Sequence, residues 1–80
     1  MERQLKIITL QDPDDREIRE TYLVKTHLSE KELQEAVRYI IHYFENNEDI
    51  VFWNYETLMK ELEKRGLVEI IPAEKITLYA

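Results

Sequence analysis

Cysteine is absent from the 80 residues of this chain, glycine occurs once and proline twice. The first absence removes disulfides, thiol catalysis and thiolate metal sites together. With Gly66 alone, there is no glycine-rich loop to cradle a phosphate and no glycine-flanked serine nucleophile. No hydrophobic run approaches the roughly 20 residues needed to cross a bilayer; the longest is Ile50-Val51-Phe52-Trp53. Met1-Glu2-Arg3-Gln4-Leu5-Lys6 lacks the apolar core of a signal peptide. These absences predict a soluble cytoplasmic domain with no membrane partner.

What is present argues for a folded object. Hydrophobic residues make up 44% and charged residues 35%, a balance unlike the low hydrophobicity of disordered chains. The length suits one domain, residues 1–80. A chain of this size buries only about 60–65% of its unfolded surface, so its stability is modest. The net charge of −6 is unevenly spread: residues 1–27 carry five bases and six acids. Residues 28–53 carry two bases (Lys31, Arg38) and six acids (Glu30, Glu32, Glu35, Glu45, Glu48, Asp49). Such an acidic pole repels phosphate backbones and favours basic partners, or keeps the protein in solution.

The helix ends are written out in full. Ser29 stands as N-cap with Glu32 three residues on, the spacing of a capping box, and Leu28 and Leu33 take the staple positions. Asn54 opens a second helix in the same manner, with Trp53 and Leu58 as its staple. Gly66 closes it, with Leu62 and Leu67 where the two apolar contacts of that motif fall. The first helix then spans about Glu30 to Glu45. Its residues Leu33, Ala36, Val37, Tyr39, Ile40, Ile41, Tyr43 and Phe44 fill an arc of roughly 200°, about twice a core-facing stripe. The second, about Tyr55 to Arg65, has a stripe of Tyr55, Leu58, Met59 and Leu62 only. The first is predicted to be central and the second peripheral.

Leu5 to Leu10 and Ile18 to Thr26 read as strands, joined through Asp12-Pro13-Asp14-Asp15, a composition made for a turn. Leu67 to Ile71 and Ile76 to Tyr79, separated by Pro72-Ala73-Glu74-Lys75, read as a second hairpin. Ile50 to Trp53 is either a fifth short strand or an extended segment plugging the core. The expected fold is α+β: an antiparallel sheet of two hairpins with two helices on one face, order ββααββ.

Chemistry is sparse. His27 and His42 lack a chelating spacing and any cysteine to join them. Asp12, Asp14 and Asp15 begin like a calcium loop, but its sixth and twelfth positions hold Glu17 and Leu23 instead of glycine and a bidentate glutamate. Ser29 is engaged as a cap. The expectation is no catalytic residue, no metal and no cofactor, hence no enzyme.

Thr57 to Tyr79 resembles the last helix and wing of winged-helix domains, through Leu58 and Leu62, the Arg65-Gly66-Leu67-Val68 exit and the apolar runs beyond it. That resemblance implies a nucleic-acid-binding regulator using residues 54–79. The charges oppose it: three acids (Glu56, Glu61, Glu63) offset three bases (Lys60, Lys64, Arg65), and the wing tip carries only Lys75, whereas a phosphate-binding element is strongly basic.

The aromatic residues point elsewhere. Tyr39, Tyr43, Phe52, Trp53 and Tyr55 fall within seventeen positions, beside Glu45, Glu48 and Asp49. Either they complete a small core, or they form an interface, where aromatic side chains supply much of the binding energy. The leading expectation is therefore a non-catalytic protein-binding module: a small acidic adaptor, inhibitor or regulator, self-association included, of a kind that suits a bacterium or phage. Its candidate partner-binding residues are Tyr39, Tyr43, Glu45, Glu48, Asp49, Trp53 and Tyr55, with the tyrosine side of the first helix left open.

Overall fold

The computed structural model describes residues 2–80. The chain is α+β, with elements β1 (Gln4–Gln11), β2 (Arg19–Thr26), α1 (Glu30–Glu45), α2 (Tyr55–Lys64) and β3 (Glu69–Ile70). The sheet is antiparallel in the order β1-β2-β3.

β1 and β2 pair along their whole length, from Gln4 opposite Thr26 to Gln11 opposite Arg19. Their turn is held by aspartates: the Asp12 carboxylate accepts the Asp14 amide at 2.8 Å and the Asp15 amide at 3.2 Å. Alternation decides the faces. Ile8, Leu10, Tyr22 and Val24 point inward, and Leu5, Ile7, Thr9, Thr21, Leu23 and Lys25 point outward.

Both helices open and close as their end residues dictate. The Ser29 hydroxyl accepts the Glu32 amide at 3.2 Å, and the Glu32 carboxylate accepts the Ser29 amide at 3.0 Å. Asn54 Oδ1 accepts the Thr57 amide at 2.8 Å. At the exit of α2, Gly66 adopts φ +75°, the Leu67 amide donates to the Leu62 carbonyl at 3.0 Å and the Gly66 amide to the Glu63 carbonyl at 2.9 Å. That bond pair is the Schellman closure.

The core joins Leu10 and Val24 of the sheet to Ile40 and Phe44 of α1, Leu58, Met59 and Leu62 of α2, and Val68. The expected ranking of the helices is reversed. Leu58, Met59 and Leu62 are wholly buried, because α2 contacts both α1 and β3; each such burial is worth roughly 1.5–3 kcal/mol. α1 instead spreads its wide apolar arc over one buried seam and two half-covered flanks.

Of the two readings of residues 50–53, the strand is absent: Ile50 and Trp53 pack against the core, while Val51 and Phe52 are exposed. One sequence expectation fails: the second hairpin lacks its last strand, so the order is ββααβ, with Ile76 to Tyr79 unpaired. The ladder explains why. Ile71 donates to the Leu23 carbonyl at 2.8 Å, so Ile70 faces the outer edge, where its amide donates to the Glu63 carboxylate at 2.8 Å. The next outward position is Pro72, which has no N–H. A returning strand would find neither donor on that edge.

One buried hydroxyl ties the layers together. Thr26, with no exposed surface, donates to the Leu67 carbonyl at 2.7 Å and accepts the Leu28 amide at 3.1 Å.

Candidate functional site

α1 presents Tyr39 and Tyr43 one turn apart on the flank that neither α2 nor the sheet covers, 64% and 40% exposed. Arg65, just past the end of α2, lays its guanidinium carbon 5.4 Å from the Tyr39 ring centroid and 5.0 Å from that of Tyr43. Its Nε donates to the Glu61 carboxylate at 3.0 Å. That bond above all raises the guanidinium's already high pKa, so its charge is permanent. A cation over two ring faces fixes both tyrosines from the α2 side.

Below them lies an open concavity of about 540 Å³, lined by Tyr39, Tyr43, His42, Asn46, Glu48 and Asp49 among others. Its acidic rim is built on a stiff turn. The Asn46 amide and side chain both donate to the His42 carbonyl, at 3.1 and 2.8 Å, closing α1. Asn47 Oδ1 accepts the Asp49 amide at 3.0 Å, and the Asn47 carbonyl accepts the Ile50 amide at 3.0 Å. Glu48 and Asp49 are thereby held exposed beside the tyrosines.

The seven candidate residues thus separate. Tyr39, Tyr43, Glu48 and Asp49 meet in one place. Glu45 is exposed on the last residue of α1, outside the concavity's lining. Trp53 is half-buried against Phe44, with ring centroids 5.5 Å apart, and anchors the linker to the core. Tyr55 also packs on the core. Burial first, then the charges of Asp12 and Glu20, pushes its phenol pKa up, which places it toward the β1–β2 turn.

Arg65, His42, Asn46 and Asn47 belong to the face and were missed by sequence reasoning. The sequence reading sets His42 on the polar edge of the first helix, beside Arg38 and Glu35, as a solvated surface residue. Only tertiary packing brings Arg65 across to α1.

The described residues contain no cluster of histidine and carboxylate side chains able to hold a metal. None of their helices is long and apolar enough to cross a membrane. Residues 54–79 supply a helix and a two-residue strand, without the hairpin a wing requires. The chain matches no protein-family model, no curated protein and no solved structure.

Proposed function

We propose that this protein is a non-catalytic binding module, an acidic adaptor or regulator that engages a basic protein partner through the tyrosine flank of α1. The observation that carries this reading is the meeting of the exposed Tyr39 and Tyr43, both under the Arg65 guanidinium, with the Glu48–Asp49 rim. Tyrosine suits a contact that is apolar along the ring and wet at the hydroxyl. Two exposed carboxylates beside it favour an arginine or lysine and repel acidic competitors.

The rival reading, nucleic-acid binding through α2, has less support. Lys60 is paired with Glu56 and Arg65 with Glu61, both at 3.0 Å, which leaves α2 without the basic stripe that tracks phosphates.

The test compares the wild-type chain with the Tyr39→Glu/Tyr43→Glu variant as bait in its native host, followed by mass spectrometry. The variant should keep its circular dichroism and lose a protein that the wild type retains. Loss of folding would place both tyrosines in the core. A salt-dependent shift of duplex DNA at low ionic strength would favour the nucleic-acid reading instead.

A further inference from the structure

Val51 and Phe52 are 95% and 76% exposed, between two residues, Ile50 and Trp53, that pack against the core. A single exposed apolar residue is ordinary; an adjacent pair this bare, close to two exposed tyrosines, makes a patch. The backbone that carries it is tied on both sides. Before it, the Asn47 carbonyl accepts the Ile50 amide and Asn47 Oδ1 the Asp49 amide, each at 3.0 Å. After it, the Trp53 ring lies against Phe44, and Asn54 caps α2 through the Thr57 amide at 2.8 Å. Ile76, Leu78 and Tyr79 are also exposed, but no strand pairs with them. A displayed pair on a tied backbone gives up little freedom when a partner covers it.

The pair adjoins the concavity through the chain itself. Asp49 lines the concavity, and the Cα atoms of Val51 and Phe52 lie at most about 7 and about 11 Å from that of Asp49. We propose that the concavity and the Val51–Phe52 pair together hold one extended segment of the basic partner, a proposal that rests on the reading given above for the tyrosine flank. In that segment an arginine or lysine stands two or three positions from an apolar residue. An extended chain advances about 3.3 Å per residue, so two or three residues span the same distance. The basic side chain enters beside Tyr39 and Tyr43 and meets the Glu48 and Asp49 carboxylates; the apolar one covers Val51 or Phe52.

Charge selects this occupant. From Tyr39 to Met59 the chain has no lysine or arginine and four acids, Glu45, Glu48, Asp49 and Glu56. The base that crosses to the tyrosines, Arg65, is already paired with Glu61 at 3.0 Å. A second copy applied through the same face would set these acids against their own copies, and nucleic acid or an anionic lipid surface would meet the same repulsion. A wholly apolar partner would cover Val51 and Phe52 but leave the neighbouring carboxylates desolvated and unpaired. A segment with both residue types meets both halves of the surface: its base pairs the carboxylates, and its apolar side chain supplies the buried contact.

Selection from a random peptide library on the full chain tests this. Enriched peptides should carry arginine or lysine two or three positions from an apolar residue. Their affinity, read by fluorescence anisotropy, should fall about tenfold or more for Val51→Ser/Phe52→Ser, as where an interface anchor is truncated. Circular dichroism should not change, because both side chains already face solvent. Should the double variant fail to fold, Val51→Ser, at the barer position, makes the same cut. Basic peptides that bind Val51→Ser/Phe52→Ser as tightly as wild type, and are lost with Tyr39→Glu/Tyr43→Glu, overturn this inference and leave the basic-partner reading standing. Enrichment of no basic peptide, or equal binding to all three proteins, overturns both. A wild type that is dimeric by light scattering, and monomeric as Val51→Ser/Phe52→Ser, gives the pair to a second copy and overturns the inference as well.

Discussion

Glu63 of α2 accepts the Ile70 amide of β3 across seven residues of chain. Helix rules alone disfavour a carboxylate in a last turn, because it meets the negative end of the helix dipole. The bond to β3 offsets that, and it fixes the strand that follows the helix. Glu63→Ala should lower stability by about 1 kcal/mol, the loss of a hydrogen bond less a small relief of the dipole clash. Glu63→Gln should lose less, since an amide oxygen still accepts. Urea midpoints and the hydrogen-exchange rate of the Ile70 amide report it; an Ile70 amide equally protected in all three proteins would show that Glu63 does not hold β3.

Ser29→Ala and Gly66→Ala each remove one helix stop. The first removes the hydroxyl that accepts the Glu32 amide, while the residue-29 amide can still donate to the Glu32 carboxylate, and it should cost about 1 kcal/mol. The second forces a side chain into φ +75° with nothing within 4 Å of the new methyl. Its cost of about 1 kcal/mol is therefore purely conformational. Denaturation midpoints indistinguishable from wild type would contradict the boundaries of both helices.

Thr26→Val keeps the shape of the side chain and deletes its oxygen. The Leu67 carbonyl and the Leu28 amide then lose their partner in a buried place, at about 1–3 kcal/mol. Thr26→Ser retains the oxygen and should fall between. Equal midpoints for valine and threonine would mean that both backbone groups find other partners.

Tyr22 gives a pH dependence of definite sign. Burial first, then its hydrogen bond to the Glu20 carboxylate and the charges of Glu20 and Glu56, push its phenol well above the ordinary value. A raised pKa favours the neutral form in the folded state, so its contribution is whole below about pH 10 and fades as pH climbs beyond. Between about pH 9 and pH 11 the wild type should lose more stability than Tyr22→Phe, read as urea midpoints. Parallel losses in the two proteins would remove Tyr22 as the cause.

Local signals were the legible ones. Ser29, Glu32, Asn54 and Gly66 act within a few residues of themselves, and each does in the structure what its spacing implies. The α+β class followed from the same signals, together with the β1–β2 turn. Long-range competition was not legible. Ile76 to Tyr79 has the alternation of a strand, but whether it pairs depends on which edge offers donors, and that depends on Glu63 reaching across to Ile70. The burial of α2 likewise reflects where its neighbours lie rather than the width of its stripe. For the candidate face, Tyr39 and Tyr43 could be placed on an open flank from helical spacing alone, whereas Arg65 could not, because nothing local ties it to α1.

The Thr26–Leu67 bond joins residues 41 positions apart. Closing a loop of that length costs roughly 3 kcal/mol of chain entropy before any contact forms. The β1–β2 hairpin and the two capped helices can each begin from short-range contacts, so the arrival of the α2 exit and β3 beside β2 is the step expected to be slow. Caps then chiefly set how readily the parts form, and Thr26 sets whether the assembled chain stays closed. Refolding should be single-exponential and limited by topology, with Thr26→Val speeding unfolding more than it slows folding.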